Sequence, residues 1–332
     1  MSLGARFERE IREQPDVWRR IAASSKADEL ARAIGGGPVC LVGSGSSLFV
    51  AQLGALALRR RGITASALAA SEARFDREAY RNGCVIVLSQ SGRSHDVLAA
   101  LDALEPRTIV ALTNAPDSPL AARANVAIDI AAGPETAVPA SKSVTAMAAI
   151  ALWSAALIAG HRNRTAETLR ATAGDVEAWL NGAGWHEVER AAQPLAKERA
   201  IAIVGAGYSV PIAYELALKM KEASYVHAEG FPAGEFRHGS SAMLDRSCAL
   251  IGILDETSRD IVERPMREAE NAGALRFVIG GILGDIPLLG PQTGEAFNTL
   301  AWLVTGQALA LFVGRAAGVD SDAPRGLTKF LA

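Results

Sequence analysis

Apolar runs and amphipathic stretches alternate along this chain of 332 residues. Runs that are apolar throughout, without alternating polar positions, indicate strands of a parallel sheet covered on both faces. We predict such strands at 38–43, 64–69, 84–89, 107–113 and 126–130. Helical patterns lie between or after them, at 47–61, 93–104, 117–124 and 137–160. This alternation predicts a doubly wound α/β unit.

A second unit of the same kind follows. We predict its strands near 200–205, 249–254 and 275–280, and the apolar helix 295–313 closes it. Residues 5–34 form a charged helical lead-in, and another charged helical stretch joins the two units. The fold class is therefore α/β, with two tandem doubly wound parallel-sheet domains of flavodoxin-like type. The predicted boundaries are 1–165 for the first domain, 166–198 for the connector and 199–332 for the second domain.

One loop opening occurs in both units, 162 residues apart. Val42-Gly43-x-Gly45-x-Ser47 recurs as Val204-Gly205-x-Gly207-x-Ser209, each after an apolar run and before a helical pattern. The repeat suggests that one α/β unit was duplicated. The third glycine of the dinucleotide-binding fingerprint is absent from both copies, which argues against a nicotinamide site.

The loops after the next strand of each copy differ in charge. The first copy continues into Ser89-Gln90-Ser91-Gly92-Arg93-Ser94, and the second into Asp255-Glu256. Hydroxyl and amide groups at a helix start can bind an anion, whereas two carboxylates would repel one. Ser46 and Ser47 should reach the same crevice as the first loop, at a topological switch point. The two loops together favour a phosphorylated small molecule as ligand. The alternative is that the serines of the Ser89–Ser94 loop only cap the helix that starts near Ser94.

The predicted helix 211–226 carries the strongest candidate chemistry. Glu215, Lys219 and Glu222, at i, i+4 and i+7, share one face of a largely apolar helix. Such spacing usually marks a solvated ion-pair face, but a carboxylate near an ammonium also stays ionised and can act as a general base. His238, in a polar loop flanked by glycine, is a further acid/base candidate. From composition alone, we would expect Lys329 to be a solvated residue of the C-terminal tail.

Composition narrows the class of protein. Hydrophobic residues make up 49% and charged residues 21%, with a formal net charge of −2. These values are typical of a soluble enzyme-like protein and give no basic footprint for nucleic acid. The three cysteines lack metal-ligand spacing, so we expect buried free thiols in a reducing cytoplasm. Residues 144–160 and 300–314 are at or below membrane-spanning length, which predicts buried helices of the core or a dimer interface and no membrane span.

These motifs together resemble the sugar isomerase (SIS) domain superfamily. The two-domain arrangement is similar to the isomerase half of glucosamine-6-phosphate synthase, and the resemblance covers nearly the whole chain. It rests on five segments: Glu10-Ile11-x-x-Gln14-Pro15, the Ser89–Ser94 loop, Ala132–Glu135 with Val138 and Ser141-Lys142, the stretch from Glu215 to Gly239, and Pro324–Lys329.

The resemblance implies roles for individual residues. It places Ser46, Ser47, Ser89, Gln90, Ser91, Ser94 and Val138 around a sugar phosphate. Glu222 matches the base that moves a proton between C1 and C2, with Lys219 beside it. His238 matches a histidine implicated in ring opening, commonly supplied by the neighbouring subunit, which implies a homodimer. Lys329 matches a lysine that closes over the substrate, and neither metal nor organic cofactor is implied.

Departures from the family pattern refine this expectation. The sequence shows no glutaminase domain before the isomerase-like part, so we expect no glutamine-dependent synthesis by this chain alone. Arg93 stands where the synthases usually carry an acidic residue, which is closer to the SIS-type glucosamine-6-phosphate deaminases. We therefore expect conversion of glucosamine 6-phosphate to fructose 6-phosphate and ammonia. Another phosphosugar isomerase, a deglycase, or a sensor of sugar phosphates without catalysis are the alternatives.

Overall fold

The computed structural model describes residues 2–35, 37–80, 83–254, 257–280, 287–288 and 297–329. The chain divides into two compact units that do not follow chain order. The first-sheet unit comprises Asp16–Glu135 and Lys142–Ala171, and the second-sheet unit comprises Met1–Pro15, Thr136–Ser141 and Thr172–Lys329. The domain boundaries expected from sequence, at 165 and 198, stay a prediction. Residues 255 and 256, which carried the predicted acidic turn, lie outside the described residues.

The helices alternate with the strands as the apolar pattern predicts. In chain order the helices are α1 Ala5–Arg12, α2 Gln14–Ala22, α3 Lys26–Ile34, α4 Ser46–Arg59, α5 Arg77–Tyr80, α6 His95–Leu104, α7 Pro119–Arg123, α8 Lys142–Ile158, α9 Arg162–Asn181, α10 Ala183–Leu195, α11 Ser209–Ser224, α12 Ala233–Phe236, α13 Arg259–Ala272 and α14 Asn298–Ala316. Short 3-10 helices cover Ala70–Phe75 and Ser240–Met243.

Each unit contains one parallel sheet. The first is built from β1 Val39–Gly43, β2 Ala65–Ala69, β3 Cys84–Ser89, β4 Thr108–Thr113 and β5 Val126–Asp129, in the order β2-β1-β3-β4-β5. The second is built from β6 Ala200–Gly205, β7 Ala228–Pro232, β8 Cys248–Ile253, β9 Leu275–Ile279 and β10 Pro287–Leu288, in the order β10-β9-β8-β6-β7. The two orders are the same topology, which confirms the two doubly wound, flavodoxin-like sheets predicted from sequence.

Strand β7 is an element that the sequence pattern did not reveal. The apolar pattern predicted no strand between 205 and 249, but residues 228–232 pair in parallel with β6. Only Ala228 of this strand is fully buried. Glycine and proline inside a short, partly exposed segment are tolerated at a sheet position with few packing demands, and they hide the strand signal.

Helix α8 begins later than predicted. The apolar pattern placed its start near residue 137, whereas the helix starts at Lys142. Pro139 explains the difference, because proline disfavours a helical conformation in the residue before it and provides no backbone N–H. Residues 136–141 are thereby kept out of the helix.

Helix α14 is predominantly apolar, and its residues from Thr299 to Gly314 are all buried. Its length and composition would allow it to span a membrane, but most of the helix is buried inside the second-sheet unit. It packs against α10 and α11, and Trp185 of α10 meets Phe312 edge to face with ring centroids 4.9 Å apart. Helix α14 is therefore a core helix of its unit, as its sequence pattern suggested.

The cysteines are free thiols with low reactivity. Cys40 and Cys248 are buried as expected, whereas Cys84 is only half-buried. Burial raises the pKa of Cys40 to about 11 and also raises the pKa of Cys84 and of Cys248. Because the thiolate is the nucleophile, none of these side chains is prepared for covalent chemistry at neutral pH.

The N-terminal lead-in holds the non-helical segment 136–141 in the second-sheet unit. The buried carboxylate of Glu10 accepts hydrogen bonds from the backbone N–H of Thr136 at 2.6 Å and of Ala137 at 3.3 Å. The buried amide of Gln14 donates to Gln307 Oε1 at 2.7 Å, and Gln307 in turn donates to the Ser141 carbonyl at 3.5 Å. The Glu10/Gln14 motif thus fixes both ends of this segment.

Replacing Glu10 by alanine should destabilise the protein. The change leaves buried backbone donors without their charged acceptor, and we expect a loss of about 3 kcal/mol in the free energy of unfolding. Urea denaturation followed by circular dichroism measures this loss. Glu13→Ala is the control, since its surface pair with Arg9 at 3.7 Å should contribute less than about 1 kcal/mol. Equal effects of the two substitutions would contradict the assigned role of Glu10.

Candidate functional site

The order of the first sheet creates a switch point between β1 and β3. These neighbouring strands run parallel, with Val42 opposite Val87, so the loops that follow them begin side by side at the carboxyl edge. Helices connected to the two strands leave toward opposite sides of the sheet, and ligands of open α/β sheets bind in the crevice that results. The serine-rich segments identified from sequence are these two loops.

The loop from β1 to α4 is as tight as the sequence predicts. A Cβ atom on Gly43 would lie 2.6 Å from the carbonyl carbon of Ser47, so only glycine allows the helix start to approach the strand. Gly45 has φ +54°, in the left-handed region that favours glycine. Ser46 and Ser47 follow in the first turn of α4, half-buried, where backbone N–H groups and the helix dipole favour an anion.

The loop from β3 to α6 is shaped by its own hydroxyl groups. Ser89 Oγ accepts a hydrogen bond from Gly92 N at 3.1 Å, and Ser91 Oγ accepts one from Arg93 N at 3.2 Å. Ser94 occupies the N-cap position of α6, yet its side chain makes no capping hydrogen bond. The alternative that Ser94 serves only as a helix cap therefore finds no support in this geometry.

Residues after β4 and in α7 hold this loop through backbone hydrogen bonds. The backbone N–H of Asn114 donates to the Gln90 carbonyl at 3.1 Å, and the Leu120 N–H donates to the Gly92 carbonyl at 3.1 Å. The Asn114 side chain also donates to the Gly133 carbonyl at 2.8 Å. Sequence reasoning missed Asn114, although a polar residue at the end of an apolar strand was a signal for it.

The second sheet has the same switch point, but the serine at this position, Ser209, binds backbone groups of the protein. Ser209, the counterpart of Ser47, is buried. Its Oγ accepts a hydrogen bond from Ala206 N at 2.8 Å and lies 3.2 Å from the Ile253 carbonyl, to which it can donate. This hydroxyl is therefore committed to backbone groups of its own loop and of β8, and the two copies have diverged at this position.

Helix α11 places an ammonium group between two carboxylates. Lys219 Nζ lies 2.5 Å from Glu222 Oε2 and 3.5 Å from Glu215 Oε1. The side chains of Lys219 and Glu215 are 1% and 2% exposed, whereas that of Glu222 is 20% exposed. The helical spacing read from the sequence is confirmed, and the structure adds that the three groups are not a solvated face. Glu222 is the carboxylate of this cluster that solvent, and hence a substrate, can reach.

The other predicted residues lie in separate parts of the molecule. His238 is exposed in the turn after α12, and Lys329 is half-buried in the C-terminal tail, both in the second-sheet unit. Val138 is half-buried in the segment 136–141 of the same unit. The serine loops belong to the first-sheet unit. The geometry therefore defines a candidate anion site in one unit and a candidate acid/base cluster in the other.

The described residues offer no group of three or more His, Cys, Asp or Glu side chains arranged to hold a metal ion.

Both units are doubly wound α/β sheets: the first has a hydroxyl-lined switch point, and the second carries a buried ionic cluster on α11. The family model described as the SIS domain matches residues 38–158 and 194–279, one segment on each sheet. The chain therefore belongs to the SIS domain family.

Curated relatives and solved structures agree with this assignment. The chain is 30% identical over 300 residues to the glutamine–fructose-6-phosphate aminotransferase (isomerizing) of Sulfolobus acidocaldarius, a match that covers 88% of this chain and 50% of the relative. The chain thus spans about half the length of the curated relatives it matches.

Solved structures reproduce the whole fold. The C-terminal domain of glucosamine-fructose-6-phosphate aminotransferase from Francisella tularensis superimposes with a TM-score of 0.85 at 22% identity, over 96% of this chain and 98% of that one. Glucosamine-6-phosphate deaminase from Thermotoga maritima superimposes with a TM-score of 0.82 at 23% identity, over 98% and 99%. At these identities the likeness establishes the fold.

Substituting Lys219 tests the charge balance of α11. Lys219→Met leaves Glu215 buried without its neutralising ammonium, and we expect a loss of about 3–5 kcal/mol in stability. Thermal and urea unfolding measure it. Lys221→Met is a matched control on the same helix, because Lys221 is exposed and its replacement should change stability by less than about 0.5 kcal/mol. A stable Lys219→Met variant would show that the cluster does not need this charge.

Proposed function

We propose that this chain is an amino-sugar-phosphate deaminase and isomerase that converts glucosamine 6-phosphate and water to fructose 6-phosphate and ammonia. The observation that carries the proposal is the partly exposed Glu222 carboxylate held 2.5 Å from the buried Lys219 ammonium. Proton transfer next to a carbonyl requires such a positioned base. The names of the relatives, an isomerizing aminotransferase and a deaminase of glucosamine 6-phosphate, support the choice of substrate.

The phosphate group is proposed to bind to the first-sheet unit. Ser46, Ser47 and the Ser89–Ser94 loop offer hydroxyl, amide and backbone N–H donors at the starts of α4 and α6. Helix N-termini favour negative charge without a metal ion. Because the phosphate does not react, its binding energy serves to position the sugar carbons.

The reaction then needs no change of oxidation state overall. His238 assists opening of the sugar ring, which exposes the aldehyde at C1. Glu222 removes the proton from C2 and returns a proton to C1. The C1 oxygen gains a proton and the C2 nitrogen loses one, so that the C1 aldehyde becomes an alcohol and the C2 amine becomes an imine. Water adds to C2, the C–N bond breaks, and ammonia leaves as the C2 carbonyl of fructose 6-phosphate forms. Lys219 supports the charge of Glu222, while Val138 and Lys329 contact the sugar.

The exposed position of His238 agrees with a role in a homodimer, in which each copy supplies this histidine to its neighbour. Other reactions of the family share the same proton transfer and are the alternatives: an aldose/ketose phosphosugar isomerase or a deglycase. A sugar-phosphate sensor is a further alternative, but a sensor has no need for a lysine and two glutamates clustered on one helix.

Glu222→Gln should abolish the reaction. The amide keeps the size of the side chain but cannot accept a proton, and we expect kcat to fall by about 10³-fold or more while KM changes little. Ammonia and fructose 6-phosphate released from glucosamine 6-phosphate are the readouts. Glu229→Gln, the same change at an exposed residue of β7, is the control and should retain wild-type kcat. Turnover by Glu222→Gln at the wild-type rate would refute the assignment, and a panel of other sugar phosphates separates the alternatives.

Removal of single hydroxyl groups should weaken phosphate binding. Ser91→Ala and Ser94→Ala are each expected to raise KM about 10- to 100-fold with a smaller effect on kcat, since a hydrogen bond to a charged group contributes about 1.5–3 kcal/mol. Steady-state kinetics with glucosamine 6-phosphate measure both constants. Ser71→Ala, at an exposed serine of the same unit, should leave KM unchanged. An unchanged KM in all three variants would place the phosphate elsewhere.

A further inference from the structure

Helix α11 ends at Tyr225 in a conformation that is unusual for its side chain. Tyr225 has φ +59° and ψ 9°, in the left-handed region. Helices that end in this conformation usually place glycine or asparagine there, because a bulky side chain makes it unfavourable. Such an outlier persists when surrounding contacts stabilise it and often marks a functional position. The contacts of the tyrosine side chain are therefore informative.

The Tyr225 side chain contacts the C-terminal tail in two ways. Its hydroxyl oxygen accepts a hydrogen bond from the backbone N–H of Arg325, 100 residues further along the chain. The Arg325 guanidinium also lies over the tyrosine ring, 4.6 Å from the centroid. A cation over an aromatic face adds an attraction that does not depend on the hydroxyl group. The partly exposed ring thus binds both the backbone and the side chain of Arg325.

The tail is also fixed just before Arg325. Asp320 Oδ1 accepts a hydrogen bond from Gly4 N at 2.8 Å, while Asp322 accepts hydrogen bonds from Arg6 N at 2.7 Å and from Phe7 N at 2.9 Å. These donors lie at the N-terminus of α1, where a carboxylate is favoured by the helix dipole. The contacts of Arg325 with Tyr225 therefore add a further attachment of the tail, four residues before Lys329.

This anchor connects the two groups that the proposed function requires. Tyr225 follows Glu222 by three residues, a helical rise of about 4.5 Å. Lys329 follows Arg325 by four residues, so the intervening chain extends about 14 Å at most. An attachment at Tyr225 confines the Lys329 ammonium to the neighbourhood of the end of α11. This confinement reduces the conformational entropy that the tail loses when Lys329 closes over a substrate.

We propose that Tyr225 is a positioning residue that anchors the C-terminal tail at the end of α11 and so directs Lys329 toward the substrate held at Glu222. The proposal rests on the proposed function for the roles of Glu222 and Lys329. The anchoring itself is independent of that function, and it can be measured without any substrate.

Hydrogen exchange of the tail amides tests the anchor directly. Tyr225→Phe removes only the hydroxyl group and should speed exchange of the Arg325 amide about fivefold, because one hydrogen bond is lost. Tyr225→Gly removes the whole side chain and suits the left-handed backbone, so it should fold well and speed exchange about thirtyfold. Tyr214→Phe, the same change on the same helix, is the control and should leave exchange at Arg325 unchanged.

A double-mutant comparison tests the effect on Lys329. Tyr225→Gly should lower kcat/KM for glucosamine 6-phosphate about tenfold in the wild-type background and have little effect when combined with Lys329→Ala. Loss of the effect in the combined variant distinguishes positioning of Lys329 from general damage, since independent substitutions would add.

The outcomes separate the two proposals. Unchanged exchange at Arg325 in Tyr225→Gly would overturn the anchor, whatever the activity. Faster exchange with unchanged kcat/KM, or an equal loss in the Lys329→Ala background, would overturn the positioning role. If the wild-type protein does not convert glucosamine 6-phosphate, the proposed function and the positioning role both fail, and the exchange rates still decide whether Tyr225 holds the tail.

Discussion

A buried ammonium group sets the strictest physical constraint in this protein. Lys219 is 1% exposed on a helix that packs against β6, β7 and the apolar helix α14. A charge in such surroundings must be neutralised nearby, and the carboxylates at i−4 and i+3 of its own helix do so. Apolar residues of similar size would often stabilise a core as well or better, so stability alone does not account for this arrangement. The proposed proton transfer, which needs an oriented carboxylate with limited access to solvent, would account for it.

The shared strand order of the two sheets is a second constraint, within which the loops at the two switch points differ. Both sheets have the same strand order, so each presents a switch point at the carboxyl edge of its central strands. In the first-sheet unit the helix start at that point carries half-buried serines, whereas in the second-sheet unit Ser209 is consumed by backbone hydrogen bonds. These differences support the proposal that the first unit binds phosphate and that α11 of the second transfers the proton.

The sequence predicted those features that depend on local pattern. Continuous apolar runs located the strands of the first sheet, and the glycine spacing located both tight turns, because backbone geometry permits few alternatives there. The sequence did not predict strand β7, because this strand is short and pairs through backbone groups that leave no side-chain pattern. The starting point of α8 depended on a single proline within an otherwise helical pattern.

Contacts between residues far apart in the chain could not be predicted from local sequence patterns. The bonds from Glu10 to residues 136 and 137, and from Arg325 to Tyr225, join positions more than 99 residues apart. Periodicity gives no information about these pairs. The roles of His238 and Lys329 likewise came from family resemblance, because an exposed histidine and a tail lysine have no distinctive local pattern.

The fate of the C2 hydrogen tests the central claim, proton transfer by Glu222, most directly. Glucosamine 6-phosphate carrying deuterium at C2 is incubated with the protein in ordinary water, and nuclear magnetic resonance follows the label. We expect the wild-type protein to remove the deuterium from C2, with the label recovered at C1 of fructose 6-phosphate or in solvent, and Glu222→Gln to leave it in place. Release of the label by Glu222→Gln at the wild-type rate would show that another group removes this proton.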